Sequence, residues 1–149
     1  VVVPNKFLKH KVERGLNTDE VAEPNAFAMS ANIAGFKYGD EWVSKLNNYI
    51  YENKKIFCDY VNKNLPKLYI IPSEATYLLW VDVRKYTDDA TTLCEYLRSK
   101  TGLYVCEGSE YGVNGKAFFR INLATSKYNV LDALERLKSG LELFESETK

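Results

Sequence analysis

Residues 40–65 form one uninterrupted helical pattern. Trp42, Val43, Leu46, Tyr49, Ile50, Phe57, Tyr60, Val61 and Leu65 recur at spacings of three, four and seven, giving a single apolar stripe. Asp40 offers an N-cap oxygen at one end, and Pro66 forbids another turn at the other. At 1.5 Å per residue such a helix is roughly 37 Å long, more than a compact domain of this size needs. It is therefore expected to run along a domain boundary, with Lys45, Asn48, Glu52 and Lys55 on its solvated face.

The elements around it suggest a small mixed domain. Val1, Val2 and Val3 resemble the end of a buried strand interrupted by Pro4 and Asn5, and no initiator methionine or signal sequence precedes them. The sequence thus reads as a piece of something longer. A weakly amphipathic helix is predicted over 6–16, a loop over 17–23, and a second helix over 26–38 capped by Asn25. Ala26, Ala28, Ser30, Ala31, Ala34 and Gly35 make that second helix one of small side chains, which predicts close packing.

Strands are predicted over 68–71, 76–83, 103–106 and 117–123, and helices over 88–100 and 127–144. The strand over 76–83 is apolar on both faces, which places it centrally in its sheet. The fold class is α+β: a two-layer sandwich of a small, mainly antiparallel sheet with helices on one face, preceded by the long helix. The domain division is 1–39, a remnant of a larger domain, and 40–149, a C-terminal small domain.

Composition narrows the function classes. Lys and Arg together number 20, as do Asp and Glu, so no net field favours nucleic acid or an anionic membrane. Neither partner is expected. The longest mostly apolar run, 77–83, is far short of the roughly 18 residues that a membrane span needs. Three cysteines with no CxxC pair and no histidine at ligand spacing argue against a metal site and fit a reducing, cytoplasmic compartment.

Chemistry concentrates in the strand over 117–123. Period two puts Phe119, Ile121 and Leu123 on one face, and Phe118, Arg120 and Asn122 on the other. A guanidinium in mid-strand is costly to bury without an anion, and its planar fork suits a carboxylate. Spacing alone leaves two readings open: Arg120 binds a ligand carboxylate, or it is a solvent-facing or ion-paired charge on the outer sheet face.

Other candidates are weaker. Ser99-Lys100-Thr101 resembles the surroundings of a cofactor-bearing lysine, but Lys100 falls in a helix's last turn before Gly102, where nothing desolvates the amine. His10 has no nearby nucleophile and reads as surface helix. Asn25 at a helix start could bind an anion or simply cap. Cys94 and Cys106 read as small apolar packing residues.

Val3-Pro4-Asn5-Lys6, Tyr38-Gly39-Asp40-Glu41-Trp42, Tyr49-Ile50-Tyr51-Glu52-Asn53, Glu74-Ala75-Thr76-Tyr77-Leu78-Leu79-Trp80-Val81-Asp82 and Phe119-Arg120-Ile121-Asn122-Leu123-Ala124 succeed one another along the chain. Together they resemble the C-terminal part of fold-type I pyridoxal phosphate enzymes. The branch most similar is that of the cystathionine beta-lyases, or C–S lyases, of the class I/II aminotransferase superfamily.

This resemblance implies that Arg120 grips the α-carboxylate of an amino acid substrate. It implies that Tyr77 brings the central strand up to the substrate pocket, where packing is an equally good account. It also implies that the loop Glu23-Pro24-Asn25 reaches across a homodimer toward the partner's cofactor phosphate, making Asn25 cofactor-binding. In the loop Cys106-Glu107-Gly108-Ser109-Glu110-Tyr111-Gly112, glutamate stands where the family usually has proline, and tyrosine where it often has phenylalanine.

The family's cofactor lysine and most of its phosphate cup lie upstream of these motifs. The expectation is that pyridoxal phosphate belongs to the parent enzyme, and that this stretch alone neither holds it nor catalyses. The parent reaction is expected to be thiol elimination from cystathionine or cysteine conjugates to pyruvate and ammonia. A PLP-dependent aminotransferase is the alternative, and a stand-alone interaction module using the long helix is a third.

Overall fold

A computed structural model describes residues 2–18 and 24–148 of the chain. The chain divides into two compact units, Val1–Lys45 and Leu46–Lys149.

The first unit is helical. Asn5 Oδ1 accepts the backbone N–H groups of Phe7 and Leu8 at 3.0 and 3.1 Å, capping α1 (Lys6–Thr18). This helix runs past Gly15 and takes in Asn17 and Thr18, which the sequence assigns to a loop. The rest of that loop, 19–23, lies outside the described residues. Val2 and Val3 are neither helix nor strand, and Val2 is exposed, so the expected strand end does not form over these two, while Val1 lies outside the described residues.

α2 (Ala28–Tyr38) begins two residues later than predicted and buries none of its side chains. The expectation of close packing from its small residues is thus not met: among the described residues nothing covers its face, and Met29, Ile33 and Phe36 stand exposed. α3 (Asp40–Asn64) runs 25 residues and ends one residue before the predicted 40–65. Asp40 is its first residue rather than its cap, because the Gly39 carbonyl already accepts the Val43 N–H at 2.9 Å.

The second unit contains the sheet, β1 (Tyr69–Ile70), β2 (Leu78–Asp82), β3 (Cys106–Glu107) and β4 (Phe118–Asn122), in the spatial order β1-β2-β4-β3 with every pair antiparallel. β2 is central, as its two-sided apolar pattern predicts. β3 is shorter than its predicted 103–106 and shifted. Leu103 and Val105 are buried and Tyr104 is exposed, so the burial alternates as in a strand, but no ladder forms there.

α4 (Ala90–Thr101) is capped by Asp89, whose side chain accepts the Thr91 N–H at 3.0 Å. It ends on Gly102 at φ 72°, a left-handed position that glycine adopts without a Cβ clash. α5 (Lys127–Glu147) is capped by Ser126. Leu93 and Leu97 of α4, and Val130, Leu134, Leu137, Leu141 and Phe144 of α5, form one core with Leu79, Val81, Phe119 and Ile121 of the sheet. Phe57, Val61 and Leu65, on the apolar stripe of the long helix, join the same core.

Among the described residues, the core helices lie against one sheet face only. Period two sends Leu78, Trp80 and Asp82 of β2 and Phe118, Arg120 and Asn122 of β4 to the other side, and all but the buried Asp82 are half-buried or exposed.

Asp82 is 7% exposed and accepts Arg84 Nε at 3.1 and 2.9 Å and Nη2 at 2.5 Å. The Arg84 hydrogen bonds hold its carboxyl below the ordinary 3.8, and burial opposes them. A carboxylate depressed on folding contributes stability above its unfolded pKa and loses that contribution as pH falls through the folded value. Stability is therefore expected to decline as pH drops below about 4, and Asp82→Asn to shallow that decline. Urea unfolding of both proteins from pH 6 to pH 2 measures the difference; parallel curves would remove Asp82 from the account.

Candidate functional site

The sheet register assembles a row of side chains on the open face. Trp80 and Cys106 stand opposite Arg120 on either side, and Asp82 stands opposite Phe118. Phe118 stacks on Trp80, with ring centroids 5.6 Å apart and planes at 17°. Tyr111 meets Trp80 edge-on at 5.7 Å and 77°.

Arg120 sits at one end of this row. Its Cζ lies 4.6 Å from the centroid of the Tyr111 ring, and its Nη2 donates to Cys106 Sγ at 3.6 Å. The sequence reads Cys106 as apolar packing; instead it is half-buried, with its sulfur on the guanidinium. Among the described residues, no carboxylate lies within ion-pair distance of Arg120.

Tyr111 reaches this position through two short 3₁₀ turns, Gly108–Tyr111 and Val113–Gly115, in the loop whose Glu107 and Tyr111 depart from the family pattern. Gly108 and Gly115 pack backbone against backbone. A Cβ on Gly108 would also lie 2.7 Å from the Phe118 carbonyl oxygen and 2.9 Å from Trp80 Cη2, so only glycine lets the turn close over the aromatic row. Glu107 stands opposite Phe119, which is on the core side of β4, and its Oε2 is buried with no hydrogen-bond partner among the described residues. Desolvation, with Cys106 and Glu110 nearby, raises the Tyr111 phenol pKa above its ordinary value against the opposing pull of the Arg120 charge.

Tyr77 lies elsewhere on the same unit. It is 43% exposed and lines a depression of about 350 Å³ together with Asn47, Ile50, Tyr51, Lys54, Glu74 and Thr76; Arg120 is not among the lining residues. The Tyr77 carbonyl accepts the Leu123 N–H at 2.9 Å, tying this turn to the end of β4, three residues from Arg120. The preceding Thr76 has φ 64°, an uncommon conformation for a β-branched residue. Lys54 Nζ donates to the Ser73 carbonyl at 2.8 Å, and Thr76 Oγ1 accepts the Leu78 N–H at 3.3 Å, which together hold the turn.

Asn25 belongs to the other unit. Its Oδ1 accepts the Phe27 N–H at 3.0 Å and its carbonyl accepts the Ala28 N–H at 3.0 Å, so it closes a turn ahead of α2 instead of capping a helix over 26–38. Its Nδ2 has no partner among the described residues, and Glu23 lies outside them. Lys100 is exposed, with Nζ 3.3 Å from Glu147 Oε1, and His10 is exposed on α1. Among the described residues there is no helix long and apolar enough to cross a membrane, and no cluster of three metal-ligating side chains.

Spacing does not single out Tyr111 or Asn53. Asn53 is 1% exposed, and its Nδ2 donates to the Leu123 and Thr125 carbonyls at 3.0 and 2.9 Å. It fixes the end of β4 and the start of α5 to the long helix. Two signals point to it, its place among apolar positions of α3 and its membership of the Tyr49–Asn53 segment that carries the family resemblance.

Known proteins share this architecture. Cystathionine beta-lyase PatB of Bacillus subtilis is 28% identical over 141 residues, 95% of this chain and 36% of its own length. A PLP-bound structure from Clostridium difficile 630 superposes with a TM-score of 0.88 at 28% identity, over 94% of this chain and 36% of the other. Cystalysin from Treponema denticola, whose structure contains pyridoxal 5′-phosphate, gives 0.83 at 26% identity, over 95% and 36%. The chain thus spans about a third of the length of the proteins it matches. The model of the family described as aminotransferase class I and II matches residues 10–137, most of the sequence, and the chain belongs to that family.

Proposed function

We propose that the chain is the C-terminal domain of a PLP-dependent C–S β-lyase and that Arg120 binds the α-carboxylate of its amino acid substrate. The observation that carries this reading is the Arg120 guanidinium, on the open face of mid-β4 with no carboxylate of the described residues within ion-pair distance to neutralise it. A planar fork with free donors takes a carboxylate through two parallel hydrogen bonds. That contact fixes the substrate's Cα–H bond in one orientation, the positioning on which elimination depends.

The lyase assignment is supported by the name of the 28% identical relative, a cystathionine beta-lyase. Pyridoxal phosphate, when bound, supplies the electron sink for the pair left by the broken Cα–H bond. Of this chain's residues, Asn25 has suitable chemistry toward its phosphate, because Nδ2 is a donor left free by the turn that uses Oδ1. In a homodimer that donor would serve the partner's cofactor. Tyr77, half-exposed beside its depression, would line the approach to the substrate. The chain alone is expected to be inactive, because the family resemblance implies a cofactor lysine upstream of the motifs that carry it and Lys100, in its Ser-Lys-Thr run, is exposed and paired with Glu147.

Arg120→Ala in the intact enzyme is expected to lower kcat/KM for amino acid substrates about 100-fold, the size of effect that follows losing one partner of a desolvated charge pair. Cofactor absorbance should be retained. Unchanged kcat/KM would remove Arg120 from substrate binding. Pyruvate release from cystathionine without added keto acid supports the lyase, whereas turnover that requires a keto acid would assign the enzyme to amino transfer.

A further inference from the structure

We infer that Tyr111 is a positioning residue for Arg120: its ring face holds the guanidinium flat for a carboxylate while leaving the charge unneutralised. This inference rests on the reading of Arg120 as the carboxylate-binding residue.

The open sheet face holds two cations on aromatic rings, and they are treated differently. Arg84 lies 5.8 Å over Phe118 and is neutralised by Asp82 through three hydrogen bonds. Arg120 lies 4.6 Å over Tyr111, and its side-chain hydrogen bond goes to a thiol, a weak acceptor without charge. Between them run Phe118, Trp80 and Tyr111 in continuous ring contact. The row therefore supports both guanidinium groups, and among the described residues Arg84 has a neutralising carboxylate and Arg120 has none.

A ring face is suited to this task. An arginine has five N–H donors, and a carboxylate partner would occupy two of them and cancel the charge. Attraction to the ring quadrupole uses none of them and favours a guanidinium stacked on the ring. The ring is itself fixed, edge-on against Trp80, by a turn that the close approach of Gly108 to Gly115, Phe118 and Trp80 admits. Orientation is thus supplied by residues that do not compete with the substrate. The guanidinium lies over the ring, while the Tyr111 hydroxyl is engaged with Cys106, so phenylalanine keeps the ring face and should serve nearly as well.

The test uses the intact holoenzyme with an amino acid substrate, in the variants Tyr111→Leu, Tyr111→Phe and Arg120→Ala and the double variant Tyr111→Leu/Arg120→Ala. Tyr111→Leu is expected to raise KM about tenfold with kcat changed less than twofold, and Tyr111→Phe to restore KM to within about twofold. In the Arg120→Ala background, Tyr111→Leu should add nothing, because it acts through the lost guanidinium. A Tyr111→Leu effect of the same size in both backgrounds would overturn the inference, since tyrosine would then act independently of Arg120. So would an unchanged KM in Tyr111→Leu while Arg120→Ala impairs the enzyme, an outcome that leaves the carboxylate reading standing. Unchanged kcat/KM in Arg120→Ala overturns both. Should Tyr111→Leu fail to fold, Tyr111→Met takes its place, and a KM equal to that of the parent would again overturn the inference.

Discussion

Phe119→Ala is expected to lower the stability of the chain by about 4 kcal/mol, and Phe118→Ala, one residue away, by only about 1 kcal/mol. The two side chains differ in the face of β4 they occupy. Phe119 is fully buried, opposite Val81 and Glu107, in the core shared with α4 and α5. Truncation there removes the transfer free energy of a ring and leaves a cavity that the close-packed helices close only in part. Phe118 is half-buried on the open face, and its loss removes one stacked contact with Trp80 and one with the Arg84 guanidinium. A domain's whole stability is about 5–15 kcal/mol, so the first substitution should shift the urea midpoint by a large fraction. The ratio also tests register, because a slip of one residue exchanges the faces of the strand. Equal losses, or the reverse order, would mean that β4 presents its other side to the helices.

That two-faced strand was legible in the sequence because period two separates apolar from mixed positions without help from anything distant. The same holds for the long helix, whose stripe and terminating proline are local, and for β2, whose two-sided apolar run marks a central strand. What was not legible depends on partners far along the chain. Leu103 and Val105 alternate with Tyr104 as a strand would, yet the ladder with β4 begins only at Cys106. Pairing belongs to two segments, and alternation in one does not guarantee it. The small residues of α2 signal a close neighbour, and among the described residues that neighbour is absent.

The site divides along the same line. Arg120 could be singled out as a charge in mid-strand, but whether it had an internal carboxylate depended on which side chains the register brought opposite. They are an indole and a thiol. Tyr111 has no periodic signal at all, since a 3₁₀ turn and two apposed glycines carry it to the guanidinium.

Asn53→Leu is expected to cost about 3 kcal/mol, although leucine matches asparagine in size and suits a buried helix position better. The side chain is 1% exposed and gives both Nδ2 hydrogens to backbone carbonyls 70 and 72 residues away. Replacement by leucine removes the donors but not the acceptors, so the Leu123 and Thr125 carbonyls lose their partner beneath the long helix. Depriving the buried Leu123 acceptor costs roughly 1–3 kcal/mol and depriving the part-buried Thr125 acceptor adds less, together more than the apolar gain of one side chain offsets. Lys55→Leu, on the exposed face of the same helix, should stay within about 0.5 kcal/mol of the parent, which separates a local effect from a general one. The consequence reaches the site through the backbone, because Leu123 also pairs with the Tyr77 carbonyl and follows Arg120 by three residues. Urea unfolding of both variants measures the cost. If Asn53→Leu unfolds at the parent's midpoint, these hydrogen bonds contribute nothing, and the end of β4 is held by apolar packing alone.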